Sequence, residues 1–187
     1  MKKKIAELIK EDIEVKNKLL ESSVNEIEEL AKVMLNTIKS GHKILLFGNG
    51  GSATDSMHIA AELVGRFRKE RKAFPAIALT ANVSILTAIG NDYGFECIFE
   101  RQIEALGNKG DMAIGISTSG SSKNVVAGIL KASGMGLKTA ALTGSKIGGL
   151  SKAADLCVRV PSLNTPRIQE AHIAIGHIVC ELIEDAF

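Results

Sequence analysis

Apolar residues between Ile5 and Ile38 recur at intervals of three and four positions, the spacing that places side chains on one face of a helix. This pattern predicts one long helix or two, ended by Ser40 and Gly41. The segment is longer than one face of a small sheet requires. We therefore expect residues 1–40 to form a helical oligomerisation segment, with part of its apolar stripe packed on another subunit.

Five short apolar runs follow, each too short for a typical helix and each followed by glycine, serine, threonine or proline. They are residues 44–47, 74–79, 111–116, 137–142 and 156–160. Helical segments of about a dozen residues alternate with these runs. The alternation predicts parallel strands that are covered by helices on both faces of the sheet.

The first predicted strand runs into a glycine-rich junction, GNGGSA. Ser52, Thr54 and Asp55 can cap the helix that follows, so backbone N–H groups gather at its start and favour an anion. Further along the same helix, His58 and Glu62 stand four residues apart and therefore share a face. An imidazole and a carboxylate in this arrangement can act on one bound molecule.

A second junction, STSGSS at residues 117–122, separates the third predicted strand from a helix over 123–133. Its hydroxyls and N–H groups can donate to phosphate oxygens, and the helix dipole favours the charge. Such loops are often only turns, but this is the second one in the chain. Ligands of parallel α/β sheets bind at the carboxyl ends of the strands, where both junctions are expected. Together they predict a phosphate site.

The charged loop RFRKERK at 66–72 is expected to be solvated, except for Arg66. That residue stands one turn beyond Glu62 and could reach an anionic substrate. A short helix over 84–89 and the turn GNDYG at 90–94 are predicted next.

The last predicted helix, over 165–183, begins with Pro166 in its first turn. It carries four polar residues within nine positions, namely Gln169, Glu170, His172 and His177. Glu170 and His177 point in nearly the same direction around this helix, while Gln169 and His177 are separated by roughly 80° and two turns, so both pairs could flank one site. Burying such groups without a role is unfavourable.

Composition indicates one globular domain and argues against several classes of partner. The 187 residues are 45% hydrophobic and 24% charged, which is ordinary for a soluble domain with a full core. A formal charge of +2 without a long basic run argues against nucleic acid. No signal peptide or membrane span is expected, because acidic residues interrupt the N-terminal region and no stretch reaches about 18 apolar residues. Cys97, Cys157 and Cys180 lack redox or zinc-ribbon spacing, and we expect reduced thiols in a cytoplasmic protein.

The first junction also matches the dinucleotide pattern GxGxxA. The acidic residue that should hold a ribose at the end of the second strand is missing, since the sequence TAN follows Leu79. No GxxxxGK[ST] loop occurs either. We therefore expect no nucleotide cofactor, and a small monophosphate ligand held by serines.

Five motifs in one order carry a family resemblance over nearly the whole chain. They are GNGGSA, HIAAE with His58 and Glu62, GNDYGFE from Gly90, ISTSGSS from Ile116, and RIQEAHIAIGH from Arg167 to His177. The chain resembles the phosphoheptose isomerases, a group within the sugar isomerase (SIS) domain family. The resemblance implies one SIS domain over 1–187, with an α/β core at 41–187 built as a three-layer sandwich around a five-stranded parallel sheet.

The same resemblance implies an activity and an assembly. The family converts sedoheptulose 7-phosphate to D-glycero-D-manno-heptose 7-phosphate, the first step towards the heptose of bacterial lipopolysaccharide or related glycans. Its members are homotetramers whose active sites lie between subunits. The partners expected here are thus a sugar phosphate and further copies of the chain.

The resemblance also implies roles for individual residues. Glu62 matches the catalytic base, and His177 matches the catalytic acid. Phosphate ligands match Ser52, Ser117, Thr118, Ser119 and Ser122. Other substrate positions are expected at Asn49, Gly50, Gly51, Arg66, Asn91, Asp92 and Gln169. Some members bind zinc through positions matching His58, Glu62, Gln169 and His177, so zinc is the expected cofactor. Pro166 stands where some relatives have an aspartate, and that sugar contact is not carried over.

These residues also suit the reaction on chemical grounds. Converting a ketose to an aldose moves a proton between neighbouring carbons through an enediol, which needs a base at the carbon and a donor at the oxygens. Glu62 can take the proton, and His177 can move protons between the oxygens near neutral pH. Zinc would polarise the carbonyl. Because glutamine is an uncommon zinc ligand, the two histidines and Glu62 would supply most of the affinity.

Two non-catalytic functions are alternatives, since a fold alone does not define a function. The same fold occurs in an oligomeric adaptor that binds the replication initiator, and a regulatory domain could use it only to sense a sugar phosphate. Both would tolerate loss of the acid and the base. Glu62 and His177 are present here, so we expect an enzyme.

Overall fold

The predicted strands form one sheet in the computed structural model, which describes residues 1–187. Their bounds are Ile44–Gly48 (β1), Ala76–Ala78 (β2), Met112–Ser117 (β3), Lys138–Thr143 (β4) and Leu156–Arg159 (β5). The strands lie in the order β2-β1-β3-β4-β5, and every neighbouring pair is parallel. This is the five-stranded parallel sheet that was expected.

Eight α-helices connect and cover the sheet. They are Lys2–Ser22 (α1), Val24–Lys39 (α2), Gly51–Val64 (α3), Val83–Asp92 (α4), Glu100–Leu106 (α5), Lys123–Gly134 (α6), Gly149–Ala153 (α7) and Thr165–Asp185 (α8). The periodic N-terminal segment is thus two helices, which are separated at Ser23. None of the eight combines the length and the apolar character that crossing a membrane requires.

Alternate side chains of the central strands enter two separate cores. In β1, Ile44 and Leu46 face the core formed with α1, α2, α3 and α8, while Leu45 and Phe47 face the core formed with α5, α6 and α7. All four side chains are fully buried. A strand covered on both faces needs a continuous apolar run, which is why the sequence showed runs rather than alternation. The result is the predicted three-layer α/β sandwich.

The strand order opens a crevice beyond the carboxyl ends of β1 and β3. From β1 the chain continues through α3 to β2 on one side, whereas β3 pairs with the other side of β1. Such a reversal in strand order leaves a cleft where ligands bind. The register pairs Gly48 with Ile116, so the two junctions start level with each other. The fold therefore brings the glycine-rich and serine-rich junctions to one place.

The start of α3 differs from the prediction. Its N-cap is Gly50, with a positive φ of 58°, and no side chain caps the helix. Capping by Ser52, Thr54 or Asp55 was therefore wrong, because these residues already lie inside the first turns. Thr54 instead donates its hydroxyl to the carbonyl of Gly51 at 2.6 Å.

Two other boundaries moved for local reasons. β2 is shorter than the predicted run over 74–79, because the N–H of Phe74 bonds to the carbonyl of Leu63 at the end of α3. In α4, Asn82 accepts the N–H of Ile85 at 3.1 Å, and the helix continues to residue 92 instead of ending at 89. The predicted turn at 90–94 therefore begins inside a helix.

Glu184, near the end of α8, anchors the charged loop at 66–72. It is 4% exposed, and its carboxylate accepts three successive backbone N–H groups at 2.7 to 3.1 Å. The donors are Phe67, Arg68 and Lys69. Burial by itself would raise the pKa of Glu184, but these donors and the adjacent Arg71 outweigh it and lower the pKa. The carboxylate thus stays charged inside the protein.

Arg71 links the same loop to the end of α3. Its side chain is 9% exposed and donates to Glu184 at 3.1 Å. It also donates to the carbonyls of Glu62 and Leu63, each at 2.8 Å. A cation at these terminal carbonyls complements the helix dipole. The expectation that the loop is solvated was therefore wrong for Arg71, whose contacts fix the turn of α3 that carries Glu62.

His172 lies on the face of α8 that packs on the sheet and is fully buried. Its Nε2 lies 3.2 Å from the carbonyl oxygen of Thr143, and its Nδ1 has no partner. Burial lowers the pKa of His172 from 6.5 to about 4, although the contact with Thr143 acts in the opposite direction. Between these two pH values the unfolded chain binds a proton that the folded chain does not bind.

Stability is therefore expected to fall as the pH falls from 6.5 to 4. His172 accounts for roughly 3 kcal/mol of this loss, since one pKa unit corresponds to about 1.4 kcal/mol. In His172→Gln the free energy of unfolding, measured with urea across this range, should depend less steeply on pH. An unchanged slope in the variant would contradict this account of His172.

Candidate active site

The helices α3 and α8 meet in close contact beside the crevice. A side-chain carbon at Gly176 would lie 2.7 Å from Ile59, so the approach requires glycine at this position. His177 follows Gly176 on α8, and His58 precedes Ile59 on α3. Their rings meet edge to face with centroids 4.9 Å apart, and their Nε2 atoms are 3.3 Å apart. Packing of the two helices thus positions the two imidazoles.

Glu62 completes a group of three side chains. Its Oε1 lies 3.1 Å from Nε2 of His58, one turn earlier on α3. The candidate ligand atoms of His58, Glu62 and His177 all lie within 4.8 Å of one another. Glu62 and His177 are half-buried, whereas His58 is exposed. A carboxylate and two imidazoles therefore converge on one point that is accessible to a small molecule.

This donor set suits a transition-metal ion. Two imidazole nitrogens and one carboxylate oxygen, with a further position left for substrate, are typical of catalytic zinc. Nitrogen ligands of one tetrahedral zinc ion, each about 2.0–2.1 Å from it, lie about 3.3 Å apart. The observed Nε2 to Nε2 distance of 3.3 Å and Nε2 to Oε1 distance of 3.1 Å agree with that spacing.

Gln169 lies at the first junction. Its side-chain amide lies against the backbone of Gly51, where a side-chain carbon would overlap it. It hydrogen-bonds to none of the three side chains His58, Glu62 and His177. Gly51 is exposed at the start of α3, and Ser52 beside it is 3% exposed. Gln169 thus borders both the start of α3 and the crevice.

The second junction gathers a cluster of hydroxyls. Oγ of Ser117 lies 2.9 Å from Oγ of Ser122 and 3.3 Å from that of Ser119. Ser119 also accepts the N–H and the hydroxyl of Ser121, at 3.2 and 3.1 Å. Thr118 is half-buried beside them. Ser122 is the N-cap of α6 but makes no side-chain bond to the helix, which leaves N–H groups of the first turn available to an anion.

Asn49 and Asn124 join the two junctions. Each side-chain amide donates to the side-chain oxygen of the other, at 2.8 and 2.9 Å. Asn124, in the first turn of α6, is 3% exposed and also accepts the N–H of Val125. A reciprocal pair of this kind fixes the first junction relative to the second.

Comparison with known proteins identifies the family to which the chain belongs. A family model described as the SIS domain matches residues 9–144. The chain belongs to the SIS domain family. The phosphoheptose isomerase of Aquifex aeolicus is 54% identical over 185 residues, which is 99% of this chain and 97% of that protein.

Solved structures of phosphoheptose isomerases agree closely with this chain. A phosphoheptose isomerase from Francisella tularensis superimposes with a TM-score of 0.94 at 38% identity, covering 98% of this chain and 97% of that one. The phosphoheptose isomerase GmhA from Neisseria gonorrhoeae gives a TM-score of 0.93 at 39% identity, with 98% of each chain covered. The match thus includes the helices that precede the sheet as well as the sheet itself.

Three residues predicted for the site lie at the surface of this SIS domain and form no hydrogen bond or ion pair with His58, Glu62 or His177. Arg66 stands beyond the end of α3, with a side chain 61% exposed and one ion pair, to Glu70 at 3.9 Å. Asn91 and Asp92 form the last turn of α4 and hydrogen-bond to each other at 2.8 Å. In the single chain none of the three forms a hydrogen bond or ion pair with the histidines, although the ring of Phe67, next to Arg66, lies 5.4 Å from that of His177.

Two of the four polar residues on α8 do not flank the site. His172 packs on the sheet, as described above. Glu170 bonds to Arg167 at 2.7 Å, on the side that α1 covers with Asp12. Burial and the neighbouring Asp12 raise the pKa of Glu170, although Arg167 opposes the shift. Glu170 and His177 point in nearly the same direction around α8, but the prediction that this pair flanks one site was wrong for Glu170.

Sequence reasoning assigned no site role to two residues that the structure places here. Asn124 is the hydrogen-bond partner of Asn49. The only feature of the sequence that pointed to it is its position, two residues after Ser122. Asp55 stands one turn before His58 on α3, with a buried Oδ2 that has no partner. Burial raises the pKa of Asp55 to about 6, while His58 acts to lower it. The spacing of three residues between Asp55 and His58 was the signal that could have found it.

Proposed function

We propose that this protein is an isomerase that converts sedoheptulose 7-phosphate to D-glycero-D-manno-heptose 7-phosphate. The observation that carries the proposal is the meeting of Glu62, His58 and His177 beside two anion-binding junctions. The full-length similarity to phosphoheptose isomerases supports the choice of sugar. The reaction would be the first step of ADP-heptose biosynthesis for lipopolysaccharide, and it would take place in the cytoplasm.

The phosphate is held at the second junction, with a contribution from the first. Hydroxyls and N–H groups at Ser117, Thr118, Ser119 and Ser122 donate to its oxygens, and the start of α6 favours its charge. Ser52 adds a donor from the start of α3. Asn49, Gly50, Gly51 and Gln169 are the proposed contacts of the sugar chain, because Asn49 bonds to Asn124 of the second junction and Gln169 lies against Gly51.

Glu62 and His177 move the protons. Glu62 removes a proton from C1 of the ketose while His177 protonates the oxygen on C2, which gives the enediol. Glu62 then returns the proton to C2, and His177 accepts the proton from the oxygen on C1, which leaves the aldehyde. No net proton is gained or lost, and both groups return to their starting states.

His58, Glu62 and His177 would hold a zinc ion, with Gln169 as a further ligand. When bound, zinc supplies a Lewis acid that polarises the carbonyl and stabilises negative charge on the oxygens. One polar atom of each proposed catalytic side chain, Oε1 of Glu62 and Nε2 of His177, faces His58. Each side chain has one further polar atom. Oε2 and Nδ1 therefore remain for proton transfer.

The protein is proposed to act as a homotetramer with active sites between subunits. Apolar side chains on α1 are about half exposed or more in the single chain, as oligomer surfaces are. They are Ile5, Ile9, Ile13 and Leu20. Arg66 and Asp92, which form no hydrogen bond or ion pair with the histidines of their own chain, would then serve a neighbouring site. No observation favours the adaptor alternative.

A direct assay tests the proposal. Purified protein mixed with sedoheptulose 7-phosphate is expected to form the aldose, which can be followed by NMR. A metal chelator should lower the rate at least about tenfold, since a Lewis acid supplies several kcal/mol, and added zinc should restore it. Protein that forms no aldose in the presence of zinc would refute the proposed reaction, whereas an unchanged rate with chelator would refute only the metal.

A further inference from the structure

The loop between β4 and α7, residues 144–148 (GSKIG), lies directly against the second junction. The N–H of Gly144 donates to the carbonyl of Thr118 at 3.1 Å. At the other end, the N–H of Leu150 donates to the carbonyl of Gly120 at 3.0 Å. The backbones also touch, because a side-chain carbon at Gly148 would overlap the carbonyl of Gly120. Both ends of this loop are thus bound to the backbone of the second junction.

The opposite side of the loop is bound to the segment after β5. Ser145 donates its N–H and its hydroxyl to the carbonyl of Ser162, at 3.1 and 3.0 Å. Lys146, the next residue, is therefore carried by a short loop that is held on two sides. Its position relative to the hydroxyl cluster is fixed by backbone contacts.

A cavity of about 140 Å³ lies between the loop and the cluster. Thr118 and Ser119 line it from the second junction, and Ser145 and Lys146 line it from the loop. Ser162 and Thr165 complete its polar wall. The volume is several times the roughly 30 Å³ that a water molecule occupies in the liquid. A polar cavity of this size adjoining phosphate donors is suited to an anion.

The hydroxyl cluster itself contains no cation. Lys123, at the start of α6, is paired with Glu96 at 2.9 Å. Lys146 forms no ion pair in the chain, so its ammonium group has no competing carboxylate. A phosphate monoester carries a charge of about −1.5 to −2 at neutral pH. Hydrogen bonds from an ammonium to such a group are about twice as strong as those from neutral donors.

We infer that Lys146 is a substrate-binding residue that supplies the one cation of the phosphate site. The inference rests on the proposed function, since the ligand is the phosphate of the sugar. Lys146 makes the site select phosphate esters over uncharged sugars, whereas the hydroxyls alone position the group. It takes no part in proton transfer, because it lies with the phosphate and not with Glu62 and His177.

Kinetics of Lys146→Met provide the first test, with Lys152→Met as the matched control. Lys152 is exposed on α7, does not line the cavity, and its loss changes the net charge equally. We expect Lys146→Met to raise KM for sedoheptulose 7-phosphate about tenfold with kcat changed less than about twofold, as for the loss of one charge-assisted bond. Lys146→Arg should restore most of the affinity. Unchanged KM in Lys146→Met, or an equal change in Lys152→Met, would overturn the inference.

Binding of inorganic phosphate, measured by calorimetry, separates this inference from the proposed reaction. Wild-type protein and Lys152→Met should bind phosphate about equally, and Lys146→Met should bind it about tenfold more weakly. That result in a protein without isomerase activity would refute the reaction and support Lys146. Equal phosphate affinity in Lys146→Met and wild type would overturn the role of Lys146, even in an active isomerase.

Discussion

Glu62→Gln is expected to lower kcat about a thousandfold, within the range of about 10² to 10⁴ that general base catalysis contributes. The amide has the size of the carboxylate but cannot accept the proton from C1. The fold should persist, because Glu62 is half-buried and its backbone carbonyl still accepts the bond from Arg71. Turnover is measured by aldose formation, and phosphate affinity by calorimetry should stay within about twofold of wild type.

Two controls make this result specific. Glu29→Gln removes an exposed carboxylate on α2 and should leave turnover unchanged. Zinc content must be measured in each variant, because Glu62 is also a proposed ligand. Turnover at the wild-type rate in a zinc-loaded Glu62→Gln protein would remove Glu62 as the base and leave the proposed mechanism without its first step.

Glu184→Ala is expected to lower the free energy of unfolding by roughly 3–5 kcal/mol, the range for breaking a buried ion pair from one side. The change leaves three backbone N–H groups of the loop without their acceptor and removes the carboxylate that pairs with the buried guanidinium of Arg71. Thermal unfolding should show a fall in Tm of roughly 10 °C for a chain of this size. Activity at low temperature should also fall, since Arg71 fixes the turn that carries Glu62.

Glu181→Ala is the matched control for Glu184→Ala. Glu181 is on the same helix and pairs with Arg68, but both side chains are largely exposed, at 43% and 65%. An exposed pair contributes only about 0–1 kcal/mol. Similar losses of stability in the two variants would show that burial of Glu184 is not what anchors the loop.

The strands, the layers and the two junctions could be predicted from the sequence because each has a local signal. A strand buried on both faces must be apolar at consecutive positions, as residues 44–47 are. An anion-binding junction is marked by glycine or hydroxyl residues that follow the strand directly. The pairing of His58 with Glu62 follows from helix geometry alone. These features depend on few residues that are close together in the chain.

Features that depend on distant partners could not be predicted. Arg71 lies in a charged loop, and nothing local shows that it is buried against Glu184, 113 residues later. Asn124 similarly gains its role from Asn49, 75 residues earlier. Glu170 and His177 share a direction on α8 but are two turns, about 10 Å, apart along the axis. Because of that spacing, α1 covers Glu170, whereas His177 lies in the candidate site beside His58.

The mutual amide bonds of Asn49 and Asn124 have a consequence for which sugars can react. Each amide bonds to the other, so the loop of the proposed phosphate cradle and the start of α3, the helix that carries Glu62, are held at a set separation. For a substrate held as proposed, this separation selects sugars by the length of their carbon chain. A sugar phosphate one or two carbons shorter would still occupy the cradle, but its first carbon would stop short of Glu62.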